Sequence, residues 1–382
     1  MQGRVDARFS RVRDVFAEGF ASHGELGAAV AVTVDGELVV DLYEGFADRA
    51  KTRPWSESTI ANVFSVTKAW TAVCALQLAG EGKLDLDRPV ATYWPEFAQG
   101  DKGAIPVRAL LDHSAGLPAI RDLLPPDALY DWPTMTTAIA RETPWWEPET
   151  KHGYHAVTYG WLVGEVVRRV SGKTLGTYFR DHVAGPLGID AQIGIAETDD
   201  ERCAELRFLR RDPGSPPTFA QTLMMNPEGM AARAFTNPAA LVVPNAALTR
   251  AWRGAELPAI NGHATANALA RLYGALARGG ELSGVRVVAS EILARARTER
   301  MRGPDAILGV PTRFGLGFML TEPEALLGPN EGAFGHTGMG GALGFADPEA
   351  RVGFGYVTNM LGTEIHIDPR ATRLIDAVYA SM

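Results

Sequence analysis

FSVTKAWTAVCALQLAGEGKL, Phe64 to Leu84, is the stretch on which the reading of this chain turns. After Ser65 come apolar residues at Val66, Ala69, Trp70, Val73, Cys74, Leu76 and Leu78, dense enough to predict a helix buried on most sides. Gly80 and Gly82 end it. Ser65 stands at the mouth of that helix and Lys68 follows one turn later. Residues at i and i+3 share a helix face, with β-carbons about 5–6 Å apart, so the lysine amine reaches the serine hydroxyl. A buried helix disfavours the ammonium form, and a lysine with a lowered pKa is a usable general base. The spacing is the S-x-x-K arrangement of an activated serine nucleophile.

Composition sharpens this signal. Only six of the 37 basic residues are lysine, and the other 31 are arginine. With 11 serines, chance supplies about 0.2 such pairs, and Ser65/Lys68 is the single instance. Arginine does not give up its proton in a protein, so a lysine here points to a need for deprotonation. The competing reading, a capping serine followed by a snorkelling lysine, has the same spacing.

A length of 382 residues allows a large core, 21 % charged and 46 % hydrophobic residues describe an ordinary globular protein, and the net charge of −8 disfavours nucleic acid or an anionic membrane as partner. No run reaches the roughly 18 apolar residues of a membrane span. The opening MQGRVDARFSRVRDVFAEGF alternates charged and apolar residues and lacks the apolar core of a secretory signal, so the expected compartment is the cytoplasm. Cys74 and Cys203 make no disulfide framework.

Along the chain, residues 5–21 predict an amphipathic helix presenting Val5, Phe9, Val12, Val15, Phe16 and Phe20. Gly27–Thr33 and Glu37–Tyr43 flank Val34-Asp35-Gly36 as a hairpin of strands covered on both faces. Val107–Leu111 reads as a short helix, residues 121–150 show no clear period, and Val157–Val170 is a strong helix capped by Gly172. The span from about 190 to 258 reads as long loops lining a pocket. Ala264–Ala277 is a helix with Thr265 as its cap. FGLGFML (314–320), GGALGFADP (340–348) and RVGFGYVTNM (351–360) alternate glycine with apolar residues as packed strands, and a helix over roughly 369–381 closes the chain. Strands at both ends with helices between imply an α/β fold: an antiparallel sheet built from the N- and C-terminal strands, flanked by helices, with a large, mostly helical inserted lobe. The expected division of this single domain is an α/β lobe of about 1–64 and 308–382 and a helical lobe of about 65–307.

An S-x-x-K enzyme needs a second acid/base group and a strand beside the serine that completes an oxyanion hole. Tyr154, just before a helix, fits the first role, because a phenol near a lysine ammonium has a lowered pKa. Tyr154 and Tyr159 fit equally well as capping and packing residues. FGHTGMGGALGF, Phe334 to Phe345, offers His336-Thr337-Gly338 leading into a strand, with glycine allowing close approach to a bound carbonyl; a glycine-rich hairpin with a surface histidine reads the same way. Asp112-His113-Ser114-Ala115-Gly116 resembles a nucleophile elbow without its first glycine or preceding strand. The eight histidines show no metal-binding spacing.

The three motifs, in this order, resemble the serine β-lactamase and penicillin-binding-protein superfamily. Within it the chain is most similar to class C β-lactamases and to the family VIII carboxylesterases that share their fold. FSVTKAW, LDLDRPVATYWPEF with VRALLDHSAGLP, HGYHAVTYGWLVGEVVRRVSG and GHTGMGGALGFADPE carry the resemblance, which covers roughly residues 10–380. It implies Ser65 as nucleophile, Lys68 as its base partner, Tyr154 as second acid/base, and the main-chain N–H groups of Ser65 and Met339 as oxyanion hole. His336 holds the place of the lysine in K-T-G and, with Thr337, Gly338 and Trp146, would line the substrate site. Tyr154-His155-Ala156 lacks the asparagine that lactamases carry two residues after the tyrosine, and Glu149 stands where the family commonly has glycine.

The expected function is a serine hydrolase acting through an acyl-enzyme without cofactor or metal, a carboxylesterase on small-molecule, short-chain esters. The same machinery on amides, as β-lactamase or D-alanyl peptidase, is the near alternative. A non-catalytic member of the fold used for binding or as a scaffold is the distant one.

Overall fold

The structure, a computed structural model, describes residues 1–211 and 214–382. It opens with an edge strand β1 (Gln2–Val5), helix α1 (Ser10–Ser22), and strands β2 (Gly27–Val34) and β3 (Glu37–Gly45). The first helix starts later than its apolar period implies, because Val5 closes β1 opposite Val40. Asp35 and Gly36 turn the hairpin with φ of 52° and 87°, the left-handed pair that a tight Asp-Gly turn adopts.

The middle of the chain contributes β4 (Ala61–Asn62), α2 (Thr67–Gly80), α3 (Val107–Leu111), α4 (Trp132–Arg141), α5 (Thr158–Ser171), β5 (Ala191–Ile193), β6 (Gly262–Ala264) and α6 (Ala266–Ala277). α4 falls in a stretch where the sequence shows no period. Its Pro133, in the first turn, and Asp131, whose side chain accepts from Thr134, are start signals obscured by a Pro- and Trp-rich surround. Residues 190–258 carry short helices at Phe219–Met224 and Met230–Thr236 where loops alone are expected. The last part supplies β7 (Met301–Pro304), β8 (Pro311–Phe314), β9 (Met319–Leu320), β10 (Phe334–Thr337), β11 (Leu343–Asp347), β12 (Val352–Thr358) and α7 (Pro369–Tyr379). FGLGFML is thus not one strand. Phe314 pairs with Met319 across a turn in which Gly317, at φ 82°, sits where a β-carbon would fall 2.1 Å from that of Ala72.

The described residues form a main antiparallel sheet in the order β1-β3-β2-β12-β11-β10-β9-β8-β7. Its centre is the seam between the two ends of the chain, where β2 pairs with β12 from Ala28/Thr358 to Val34/Val352. One face packs Val30, Val32, Phe345, Phe354 and Tyr356 under α1 and α7. The other is covered by α6, and this explains the glycine alternation of β11 and β12. A β-carbon on Gly344 would fall 2.0 Å from the Tyr273 ring, and one on Gly353 2.2 Å from the backbone of Gly274, so the helix lies directly on the strands. Both α6 and β7 lie inside the span that the sequence reading assigns to the helical lobe.

α2 runs through the second core. All but three of its residues from Thr67 to Gly80 are buried, and Trp70 stacks on Phe179 with centroids 5.2 Å apart. Cys74 and Cys203 are free and buried. Among the described residues no helix is long and apolar enough to cross a membrane.

Candidate active site

Ser65 lies in a one-turn helix, Phe64–Val66, that leads into α2, and it is partly exposed amid buried neighbours. The residue before it, Phe64, has φ 45°, a strained conformation for a non-glycine residue. Three contacts hold that strain: the Phe64 N–H donates to Asn62 Oδ1 (3.1 Å), the Thr67 hydroxyl donates to the Phe64 carbonyl, and the Gly262 N–H donates to Thr67 Oγ1 (2.8 Å). β6 thereby cradles the turn that carries Ser65.

Lys68 Nζ lies 3.1 Å from Ser65 Oγ and 3.0 Å from the Ala259 carbonyl oxygen, with the side chain fully buried. Burial alone holds its pKa well below that of a free lysine, and no carboxylate among the described residues pairs with it. Burial thus biases the side chain toward the neutral amine, the form whose lone pair can take the serine proton.

Tyr154 precedes α5, and its N–H donates to Asp305 Oδ1 at 3.0 Å. The same oxygen accepts from the N–H groups of Ile307 (2.8 Å) and Leu308 (2.9 Å), so one buried carboxylate ties the tyrosine to the end of β7. The ring stacks on Phe314, lies 4.6 Å from Lys68 Nζ, and faces His113 at 4.9 Å and His336 at 6.0 Å. Its phenol is pushed up by burial, a shift that a hydrogen bond with Ser65 only partly offsets. This corrects the expected lowering of the phenol: an ammonium neighbour would lower it, but the burial that traps the ring raises it and also disfavours the ammonium form of Lys68. Tyr159 is buried behind His113, with its hydroxyl unpartnered among the described residues.

His336 is buried in β10 and is not a surface residue. Nδ1 lies 2.7 Å from the Thr337 carbonyl and so carries the hydrogen, which leaves Nε2 as a buried acceptor without a partner among the described residues. Burial first, and Lys68 second, hold its pKa down to about 3, so it is neutral in the working range. Thr337 donates to Met319 Sδ at 3.4 Å. Gly338 fits tightly against the strained turn, since a β-carbon there would fall 2.2 Å from the Val63 carbonyl oxygen. The N–H groups of Ser65 and Met339 have no acceptor among the described residues. Met339 itself is half exposed.

Trp146 packs behind the tyrosine, edge-on to His155 and against Gly153, with its indole N–H directed at the Ser114 carbonyl (3.4 Å). Ser114 is fully buried and bonded to Asp112 at 2.5 Å, which leaves it no access to substrate. Sequence spacing gives no hint that His113 and His336 meet the Tyr154 ring, or that His113 and His152 meet Phe314. The backbone N–H of His155 donates to His113 Nδ1, and its own Nε2 accepts from Leu117, so both rings are neutral members of the loop framework. Asp305 and the Ala259 carbonyl were likewise beyond sequence reasoning.

A profile of the family described as Beta-lactamase matches residues 12–377. Esterase/beta-lactamase LipL of Mycobacterium tuberculosis is 37 % identical over 377 residues, 94 % of this chain and 83 % of that protein. The crystal structure of a family VIII carboxylesterase superposes with a TM-score of 0.90 at 40 % identity, covering 100 % of this chain and 99 % of that one. A penicillin-binding-protein homologue from Caulobacter crescentus matches with the same TM-score at 42 % identity, covering 100 % and 99 % of the two chains.

Proposed function

We propose that this chain, which belongs to the beta-lactamase family and is a serine hydrolase of that superfamily, is a carboxylesterase that cleaves small-molecule, short-chain esters through an acyl-enzyme. The observation that carries the reading is the fully buried Lys68 amine 3.1 Å from Ser65 Oγ. Ser65 Oγ attacks the ester carbonyl carbon as its proton passes to Lys68 Nζ. The displaced π pair becomes an oxyanion facing the free N–H groups of Ser65 and Met339. Collapse of that intermediate re-forms the carbonyl and breaks the bond to the alcohol. Tyr154 gives its proton to the departing alkoxide and takes one from the Lys68 ammonium. Water then attacks the acyl-serine, its proton taken by the same groups, and releases the acid and Ser65. The scheme needs no cofactor.

The preference for esters over lactams is supported by His336 and Ala156. A neutral Nε2 acceptor offers nothing to a substrate carboxylate, where a lysine would supply a charge. Ala156 lacks the side-chain amide that would bond an acylamino group, and a site without such a bond loses discrimination in its favour. Short-chain aryl esters are expected to exceed a chromogenic cephalosporin at least about a hundredfold in kcat/KM, roughly 2.7 kcal/mol. Comparable efficiencies would move the chain to the lactamase reading. A fluorophosphonate that failed to label Ser65, or a Ser65→Ala variant that still turned over ester, would end the acyl-enzyme scheme.

A further inference from the structure

Arg370 opens α7 and is buried, yet it belongs to no part of the chemistry described above. Its guanidinium is held on two sides by carboxylates. Asp368 receives Nε and Nη2 at 2.8 Å each, and Glu25 Oε2 receives Nη1 at 3.1 Å. Glu25 in turn accepts from the hydroxyls of Tyr356 and Thr358 on β12. Two of the five N–H groups remain, and Nη2 directs one of them to the Gly340 carbonyl oxygen at 3.2 Å. The N–H of Gly362 reaches the same oxygen at 2.9 Å.

Gly340 is the residue after Met339, whose N–H, without an acceptor among the described residues, is the outer donor of the proposed oxyanion hole. The N–H of Gly341 donates to the Gly338 carbonyl at 3.1 Å, closing a β-turn with Met339 and Gly340 at its corners. Gly340, at φ 85°, takes the left-handed corner, and the N–H of Met339 is the donor that such a turn leaves free. Toward Ser65 the turn is stopped by Gly338 against Val63. Away from it the Asp368–Arg370 pair forms the wall: a β-carbon on Gly341 would fall 3.2 Å from Asp368 Oδ2 and 3.3 Å from Arg370 Nη2. The turn is therefore gripped between the nucleophile's own strained loop and a buried ion cluster.

We infer that Arg370 is a positioning residue of the oxyanion hole: by holding the Gly340 carbonyl it fixes the Gly338–Gly341 turn and aims the Met339 N–H at the developing oxyanion. A displaced oxyanion donor costs transition-state stabilisation and leaves ground-state binding almost untouched. The inference rests on the oxyanion role given to Met339.

Removing Arg370 alone would leave Glu25 and Asp368 buried without a counter-charge and endanger the fold. The informative pair is Glu25→Gln and Glu25→Gln/Arg370→Met. In the single variant the amide oxygen accepts from the Tyr356 hydroxyl and the amide NH2 donates to the Thr358 hydroxyl, while Arg370 keeps Asp368 and Gly340. The double variant removes the cation with one of its anions and keeps a side chain of similar length. The single variant is expected to keep kcat and KM for an aryl ester within about twofold of wild type. The double variant should lose at least about tenfold in kcat, with KM within about threefold, and should bind a phosphonate transition-state analogue weaker in proportion to kcat. Equal kcat in the two variants, or a loss that follows only the unfolded fraction seen by circular dichroism, would overturn the inference. Met339→Pro, which deletes the N–H, separates the two layers. Full activity there refutes the oxyanion reading, whereas activity lost there but kept in the double variant refutes the role of Arg370 alone.

Discussion

Lysine and arginine at position 68 would carry the same charge in water, but only lysine can shed it inside this core. Burial without an acidic partner lowers the Lys68 pKa, and the amine already lies against Ser65 Oγ. Lys68→Arg is therefore expected to lower kcat/KM by about 10²–10⁴, the usual range for losing a general base. An arginine variant near wild type in an ester assay would make Lys68 a structural partner only. Residues close together in sequence could be read this way. Ser65 and Lys68 sit three apart on one helix in a lysine-poor chain, and both were legible. The Ala259 carbonyl that anchors Lys68 is 191 residues away, and the Asp305 carboxylate that ties down Tyr154 is 151 away, and no spacing connects either to its partner. The state of the Tyr154 phenol was read in the wrong direction for a related reason. A motif names neighbours but does not say how far water is excluded from them.

Elements were legible where their period met no interruption, and less so where tertiary contact overrode it. α5 ends at Gly172 and α6 is capped by Thr265, as their sequences imply. The strands of the last third were recognisable from glycine alternating with apolar residues, but the reason for the glycines, a helix lying on the sheet, is a property of the packed pair. FGLGFML broke into two strands because Gly317 dives against α2, an approach that its local sequence does not encode. The junction of β10 with the nucleophile turn is the place where such an approach touches function. A methyl group on Gly338 would meet the Val63 carbonyl at 2.2 Å, and both are backbone that no side-chain rotation can clear. Gly338→Ala should push the strand away from Ser65 and cost about 1–3 kcal/mol of stability, with a drop of about 10² in kcat for a donor displaced by an ångström or less. Gly332→Ala, whose β-carbon would meet only the Arg297 side chain at 3.7 Å, is the control and should leave both unchanged. Comparable activity in the two variants would remove the argument for a tight fit.

Over the whole molecule, the buried histidines make folding depend on pH. Burial holds His155 and His336 at about 3 and His263 at about 4, all well below the ordinary value of 6.5. Each stays neutral in the folded chain as the pH falls through 6.5, while the same residue in the unfolded chain takes up a proton. The unfolded state then binds more protons, and stability falls with falling pH from about 6.5 down toward the folded values. Between pH 7 and pH 5 this amounts to about 2 kcal/mol per histidine, or about 6 kcal/mol for the three, a large share of the 5–15 kcal/mol typical of a folded protein. Glu25 and Asp112 work in the opposite direction, because burial raises their carboxyls and the folded chain protonates them before the unfolded one does. The net loss is accordingly expected to be several kcal/mol and less than the sum over the histidines. Carboxyls held low by their partners, such as Asp48 and Asp199, add their loss only as the pH drops below the ordinary carboxylate range, so the histidine window stands apart from theirs. His263 isolates the effect, because its ring, hydrogen-bonded to the Asn261 carbonyl at 2.8 Å, takes no part in the proposed chemistry. Urea unfolding of wild type at pH 7 and pH 5 should show the fall, and His263→Asn should reduce the difference by about 2 kcal/mol. If the variant and wild type lost the same stability between the two pH values, the neutral buried His263 would not be a source of the acid sensitivity.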